Sequence, residues 1–494
     1  MPSEISLQPS PEQEAIIAAR HADPGSSLRV VAFAGSGKTM ALQLLAETDS
    51  TPALYLAYNK STQLAAQGRF PAHVTCRTIH SLAYRAMRMF EQQHRLERKL
   101  TGRELAEMLA IPALDGLRPS FWGQCVISTV RSFAQSVARE IDARHLPPLP
   151  RGTDHAELVI TLARELWARM RNRADEVPLE HDAYLKMWHL GGARLPAEAA
   201  LLYVDEAQDA NPVTLAILEA QRRPTVWVGD PWQSIYGFRG SVNAMRMIAA
   251  PQRHLSRSWR FGEDLAGVAR AILAHTSEPP ALALRGDPKI TTVLGPVRPP
   301  CTVLCRTNAG LFEAAVHGQD RVHILGGIEP LARLILGGWQ LYSGEPVLEV
   351  PSLARFRSWD ELLDEAEEAL DPELRFLVQI IVHYGRALPG LVADLRRRAA
   401  PHPAAAERVL STAHKAKGLE WPRVRLASDF PGLEELHGLD RNGLLYLMPE
   451  ERDQELHLLY VAVTRARQQL EPNAAVQSCL AARAAGVTRP GCAA

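Results

Sequence analysis

The chain has 494 residues, 46% of them hydrophobic, and its 55 Lys and Arg balance its 55 Asp and Glu. Zero formal charge excludes a histone-like basic coat and an acidic solvating tail, so a charged partner must be met by a local patch. At roughly 150 residues per domain, this length allows about three to four domains, each with apolar residues enough for a core.

In chain order, the short apolar runs 28–33, 53–57, 201–204, 225–228, 302–305 and 424–427 are bounded by turn residues. They are too short for helices and too apolar for edge strands, so they predict buried strands of parallel sheets. Between them, 42–47, 212–221, 362–370 and 455–469 carry apolar residues three and four apart, the pattern of crossover helices. The stretch 86–187 is rich in Arg, Glu, Leu and Ala and predicts a helical insertion broken at Pro147, Pro148 and Pro150. A Pro-rich cluster over 276–300 predicts a loop or a short strand pair. The Ala-rich tail 471–494 is weakly patterned and is expected to fray. Six cysteines without a CxxC pair fit a reducing compartment, and Cys301 and Cys305 with His317 or His323 match no familiar zinc spacing. The first residues lack a basic and apolar leader, and no run of about 18 apolar residues is evident, so a soluble, cytoplasmic protein without a membrane partner is expected.

Two segments carry phosphate chemistry. Ala32-Phe33-Ala34-Gly35-Ser36-Gly37-Lys38-Thr39 lies between a predicted strand and a predicted helix. Small residues there let backbone N–H groups curl round phosphates, Lys38 reaches the β and γ oxygens, and Thr39 is placed to ligate Mg²⁺. Its first position is Ala32 where the pattern has glycine. Leu201-Leu202-Tyr203-Val204-Asp205-Glu206 ends a strand in two acids, with Asp205 placed to hold the metal and Glu206 to activate water. ATP and Mg²⁺ are the implied cofactors. After the run 225–228, Gln233 stands where it can hydrogen-bond a γ-phosphate. Tyr236 and Phe238 can present ring faces to bases or pack inward, with Arg239 alongside.

The chain resembles the UvrD/Rep branch of superfamily 1 DNA helicases, with motifs in the family's order across nearly its whole length. Gln13, in Ser10-Pro11-Glu12-Gln13, matches the adenine-reading glutamine. Leu56-Ala57-Tyr58-Asn59-Lys60 and Arg77-Thr78-Ile79-His80-Ser81 look like two strand-contacting segments, which makes Asn59, Thr78 and His80 DNA candidates. Ser256-Arg257-Ser258-Trp259-Arg260 is similar to the Asn-Tyr-Arg element, with Trp259 in place of the adenine-stacking tyrosine and Arg260 in place of a γ-phosphate arginine. The segment from Ser411 to Trp421 matches the one that joins DNA, through Thr412 and His414, to nucleotide, through Gly418 and Glu420. Tyr460 through Ala466 closes the set, with Arg465 in the arginine-finger position. Phe238 stands where the family usually has tryptophan, and Ala57 where it often has phenylalanine. His181 to Trp188, Arg306 to Asn308 and 356–362 look like the F-box DNA helicase branch, without an F-box region ahead of them. The aromatic stretches are equally consistent with helix packing, and Lys186 is a candidate DNA contact.

The resemblance implies an α/β fold of two RecA-like P-loop ATPase lobes. The first lobe spans 1–90 and 188–250, with a helical insertion (1B) over 91–187. The second spans 251–330 and 401–472, with a reduced 2B-like insertion over 331–400, and 473–494 is a flexible tail. It implies an ATP-dependent helicase or translocase moving 3′ to 5′ on single-stranded DNA and unwinding duplex, in recombination or repair. Single strands and single-to-double-strand junctions are the expected partners, a recombinase or nuclease is a candidate one, and the expected state is a monomer. A translocase that strips proteins from single strands and an ATPase switch subunit of a nuclease or defence complex are the competing expectations.

Overall fold

The computed structural model describes all of the chain except residues 1–7, 150–153, 236, 238–242, 346, 348–349, 351–352, 354–355, 357, 369–371, 439–447 and 486–494. It divides into two compact units, Met1–Ala32 with Gly37–Leu255, and Phe33–Ser36 with Ser256–Ala494.

The first unit is built on β1 Leu28–Ala32, β2 Ala53–Ala57, β3 Val74–Thr78, β4 Leu201–Val204, β5 Thr225–Gly229 and β6 Gln252–Leu255. They form one sheet in the order β3-β2-β4-β5-β1-β6, and every pair is parallel. Parallel neighbours need a crossover, which the helices Lys38–Thr48, Lys60–Gln67 and Pro212–Ala220 supply. Helices cover both faces of such a sheet, so its inner strands are apolar throughout, and β2, β4 and β5 are buried along their whole length. The sheet edges differ. β3 reads Val-Thr-Cys-Arg-Thr and β6 reads Gln-Arg-His-Leu, so neither forms a continuous apolar run, and sequence patterning passed over both.

Between β3 and β4 the chain is helical, with Ile79–Ala86, Gly102–Met108, Pro119–Gln135, Ala156–Arg171 and His181–Leu190 the main elements. Pro147 and Pro148 lie in an irregular connection, and Pro150 falls outside the described residues. The insertion packs around Phe133, whose ring meets Trp167 edge-on at 5.2 Å. Buried Arg95 stitches it together, donating to the carbonyls of Val177 at 2.8 Å and Met170 at 3.1 Å.

The second unit carries β7 Val293–Leu294, β8 Cys301–Cys305, β9 Val322–Ile324, β10 Arg408–Thr412, β11 Trp421–Leu426 and β12 Ala466–Glu471. Their order is β7-β12-β11-β8-β10-β9, again parallel throughout. Between β9 and β10 lie the helices Glu329–Tyr342, Trp359–Glu368, Pro372–Tyr384 and Leu388–Arg398. Their buried residues Ile335, Leu362, Leu377 and Leu388 form one core with Val303 and Leu410 of the sheet. The architecture is therefore α/β, with two RecA-like sheets, a helical insertion in the first and a shorter one in the second.

Three expectations need correction. The helix expected over 455–469 is Pro449–Val463, and the chain then enters β12. The Thr464 hydroxyl bonds back to the Tyr460 and Val461 carbonyls at 2.8 and 3.0 Å and closes the helix, while pairing with β11 overrides the helix preference of Ala-Arg-Gln-Gln. The tail does not fray from its start. Asn473 caps a helix Ala474–Ala484 that buries Val476 and Cys479, so its apolar residues do have a face to cover. The Pro-rich region holds a single short strand, β7, which pairs with β12 and not within the region. By length and composition Leu374–Arg398 could cross a membrane, and a third of its apolar 18-residue window is buried. It consists of two helices joined by a 3₁₀ turn at Gly385, φ 48°, and its inner face belongs to the core just described.

Candidate nucleotide and nucleic-acid site

In a parallel sheet, functional groups gather where strands end and helices begin. The Gly-rich turn follows β1. Gly35 and Gly37 have φ 72° and 81°, a left-handed conformation that glycine adopts without Cβ strain, and Gly37 caps the helix Lys38–Thr48. A Cβ on Gly35 would lie 2.6 Å from Ser258 Oγ and 2.7 Å from Arg260 Cβ, so only glycine fits there. Ser36 is buried and donates its hydroxyl to the Phe33 carbonyl at 2.8 Å. The Ala34 N–H donates to the Tyr460 hydroxyl at 3.0 Å.

β4 delivers the acids. Asp205 Oδ2 accepts from the Thr39 hydroxyl at 2.8 Å and from the Tyr55 hydroxyl at 2.8 Å, while Oδ1 accepts the Glu206 N–H at 2.9 Å. Glu206 pairs with Lys38 Nζ at 3.0 Å and accepts from Gln208 Nε2 at 2.6 Å. Burial lowers the Lys38 pKa, but Glu206, Asp230 and Asp205 together outweigh it and hold the ammonium above its ordinary value. Burial and the adjacent Glu206 push Asp205 up despite Lys38, and burial with Asp205 alongside pushes Tyr55 up. At the end of β5, buried Gln233 donates to Asp230 Oδ2 at 2.6 Å, and Gln208 Oε1 accepts the Asp230 N–H at 3.0 Å. Lys38, Thr39, Asp205, Glu206 and Gln233 thus share one hydrogen-bonded neighbourhood. Tyr55, Gln208 and Asp230 complete it and were not assigned roles from sequence. Tyr55 sits inside an apolar strand, where only the fold reveals that its hydroxyl faces a carboxylate.

Gln13 is buried in the helix Pro11–Ala22, and its Oε1 accepts the Ser10 N–H at 2.9 Å, so its amide group is oriented with the NH₂ left to donate. In the second unit Arg260 donates to Glu420 Oε2 at 2.6 Å and to the Thr464 carbonyl at 3.1 Å. Arg465 is buried and donates to Val461 O at 2.8 Å, Leu419 O at 3.1 Å and Thr464 Oγ1 at 3.0 Å. Arg260 and Arg465 therefore converge on Thr464, and Glu420 joins them through Arg260; Gly418, two residues before Glu420, has φ 83°. Trp259 is 44% exposed, and its N–H donates to the Gly35 carbonyl at 2.8 Å.

The nucleic-acid candidates also lie at strand ends. Asn59, after β2, caps the helix Lys60–Gln67, accepting from the Thr62 N–H at 2.8 Å. Thr78 ends β3 and caps Ile79–Ala86, and Thr412 ends β10 and caps Ala413–Ala416. His414 lies within that last turn and is partly buried. His80 Nε2 lies 3.2 Å from Asp182 Oδ1, whose other oxygen accepts from Gln135 Nε2 at 2.8 Å. A cavity of about 200 Å³ in the first unit, lined by Ala57, Tyr58, His80, Asp182, Asp205 and Glu206 among others, joins His80 to the acids of β4. Tyr236, Phe238 and Arg239 lie outside the described residues. Lys186 is corrected: it is fully buried, donates to the carbonyls of Ser136 (2.6 Å) and Ala138, and its ammonium sits 4.4 Å from the Phe133 ring centroid. It holds the insertion together and presents nothing to a nucleic acid.

A glycine turn between a parallel strand and a helix, with two acids at the end of another strand of the same sheet and a second RecA-like sheet, defines a P-loop nucleotide-binding protein. The UvrD/REP helicase N-terminal domain matches residues 58–250 and the UvrD-like helicase C-terminal domain matches residues 356–472. The chain belongs to the UvrD/REP helicase family. It is 31% identical to F-box DNA helicase 1 of Gallus gallus over 497 residues, which is 92% of this chain and 48% of that protein. It is 29% identical to F-box DNA helicase protein 1 of Schizosaccharomyces pombe, over 91% of this chain and 55% of that one. It is 26% identical to ATP-dependent DNA helicase UvrD2 of Mycobacterium tuberculosis, over 89% of this chain and 73% of that one. The chain thus spans about half the length of the F-box helicases it matches.

Proposed function

We propose that this chain is an ATP-dependent DNA helicase or translocase that moves 3′ to 5′ on single-stranded DNA and unwinds duplex, in recombination or repair. The observation that carries the reading is the hydrogen-bonded array of Lys38, Thr39, Asp205 and Glu206 on the same sheet whose strands β2 and β3 lead into Asn59, Thr78 and His80.

In this reading the turn Ala34 to Lys38, through N–H groups such as those of Gly35 and Gly37, and the Lys38 ammonium bind the triphosphate. Thr39 and Asp205 offer hard oxygens of the kind that hold Mg²⁺, which supplies charge neutralisation on the phosphates when bound. Glu206 orients the attacking water and takes its proton, and Gln208 fixes that carboxylate. Gln233 senses the γ-phosphate, Gln13 and Trp259 recognise the base, and Arg260 and Arg465 stabilise charge on the transferring group. Asn59, Thr78, His80, Thr412 and His414 contact the strand, with Tyr236, Phe238 and Arg239 assigned from sequence. The helices of 91–187 and 331–400 serve as the 1B and reduced 2B-like insertions. Single strands and junctions are the substrates, a recombinase or nuclease a candidate partner, the working unit a monomer and the location cytoplasmic.

The test is ATP hydrolysis with and without single-stranded DNA, at fixed salt, for wild type and Glu206→Gln. Strong stimulation by DNA is expected, and loss of a positioned general base should cut the rate by about 100-fold or more while nucleotide still binds. Hydrolysis indifferent to DNA would sink the motor reading and favour the ATPase switch subunit. With stimulation in hand, forked duplexes bearing a 3′ or a 5′ tail separate an unwinding enzyme from a translocase that only strips proteins.

A further inference from the structure

Trp259 offers an exposed aromatic face at a site read as the base-binding position of a nucleotide pocket, and its other face is occupied. The Arg257 guanidinium carbon lies 4.3 Å from the Trp259 ring centroid, within the range of a cation–π stack. That guanidinium is itself anchored: Nη2 donates to Asp287 Oδ1 at 2.8 Å, and Asp287 is buried. Asp287 is fixed in turn by its own N–H, which donates to the Phe261 carbonyl at 2.9 Å, and by Oδ1, which accepts the Lys289 N–H at 2.9 Å. The neighbouring backbone is equally tied. The Ser258 N–H donates to the Arg285 carbonyl at 2.8 Å, the Arg285 N–H returns a bond to Ser256 O at 2.9 Å, and the Trp259 N–H meets Gly35 O at 2.8 Å.

From this stack we propose that Arg257, buttressed by Asp287, is a positioning residue that clamps the Trp259 ring and sets the preference for a purine base. The inference rests on the nucleotide reading above. An indole on the surface has two χ angles free to turn, and fixing it beforehand removes that ordering cost from binding. A planar guanidinium on one face holds the ring plane while leaving the opposite face for a base to stack on, which a flexible ammonium does less well. The larger bicyclic purine covers more of that face than a pyrimidine does, so a fixed ring discriminates between them better than a swinging one. Arg257 is engaged with the ring and with Asp287, so it acts on binding and not on the chemical step.

The experiment compares kcat and KM for ATP and for CTP in wild type, Arg257→Ala, Arg257→Lys and Trp259→Ala. Removing the stack should raise KM for ATP about threefold to tenfold with kcat nearly unchanged, and should narrow the ATP-to-CTP preference by a similar factor. Arg257→Lys should fall between the two. Tryptophan fluorescence, with Trp259→Ala as the blank, should show the emission assigned to Trp259 shifted in Arg257→Ala before nucleotide is added. An unchanged KM for ATP in Arg257→Ala, or equal losses for ATP and CTP, would overturn the proposal. If Trp259→Ala also leaves KM unchanged, the placement of the base on Trp259 fails instead. If Trp259→Ala raises KM and Arg257→Ala does not, only the clamp is lost. Asp287→Asn guards against misfolding of the alanine variant, since it keeps Arg257 but loosens its anchor and should reproduce a smaller part of the KM effect.

Discussion

Glu206 is held at φ 51°, a left-handed conformation that costs a non-glycine residue on the order of 1 kcal/mol or more. Its carboxylate is fixed from two sides, by Lys38 at 3.0 Å and Gln208 at 2.6 Å. Strain persists only where the surroundings over-determine it, and here it points the carboxylate toward Lys38 and away from the continuation of the strand. Lys186 illustrates the opposite use of a charged group. Burial lowers its pKa to about 8, so protonating it is harder in the folded chain than in the unfolded one, where the value is 10.5. Below pH 8 both states carry the proton and the fold bears the cost; between pH 8 and 10.5 the unfolded state alone holds it, and the native state gains. Denaturant unfolding at pH 7 and pH 10 should therefore show wild type gaining, relative to Lys186→Met, on the order of 2–3 kcal/mol at the higher pH. A pH-independent difference between the two proteins would mean that Lys186 is not desolvated as its burial requires.

Between residues and the whole, the helical insertion turns on one crossing. Gly102 begins Gly102–Met108 and Gly123 lies inside Pro119–Gln135, and a Cβ on Gly123 would stand 2.0 Å from the Gly102 carbonyl oxygen. The obstacle is backbone, which cannot rotate away as a side chain would. Gly123→Ala should therefore destabilise the insertion by about 2–3 kcal/mol, read as a lower midpoint in urea, despite alanine's better helix propensity. A neutral or stabilising effect would show that the two helices separate without cost. Legibility from sequence followed packing at this scale. β2 and β4 were found to the residue because both faces of each are covered, whereas β3, β6, β7 and β9 lie at sheet edges and carry mixed or very short patterns. β12 defeated periodicity for another reason: Ala466-Arg467-Gln468-Gln469 favours helix locally, and only its place between β11 and β7 makes it a strand.

Across the whole molecule, zero net charge means that a nucleic acid, in the proposed function, has to be attracted by a local basic patch and not by the chain at large. Binding should still depend on salt, because neutralised phosphates release counterions. A single strand meeting two or three cationic groups loses about tenfold in affinity between 50 and 200 mM salt, and fluorescence anisotropy with a labelled oligonucleotide checks this. A salt-independent affinity would place the recognition in neutral contacts such as Asn59, Thr78 and Thr412 alone. The sequence by itself determined the phosphate turn, the acids of β4, the α/β class and the order of the family's motifs. These rest on short-range constraints: a glycine where φ is positive, a lysine one turn on, an acid where an apolar strand stops. Only the tertiary structure decided that Tyr55 supports Asp205, that Lys186 is structural, that the 474–484 tail packs as a helix and that Arg257 stacks on Trp259. Each of these depends on a partner distant in the chain or on burial by other elements, and spacing along a sequence does not encode which distant side chain arrives at hydrogen-bond distance.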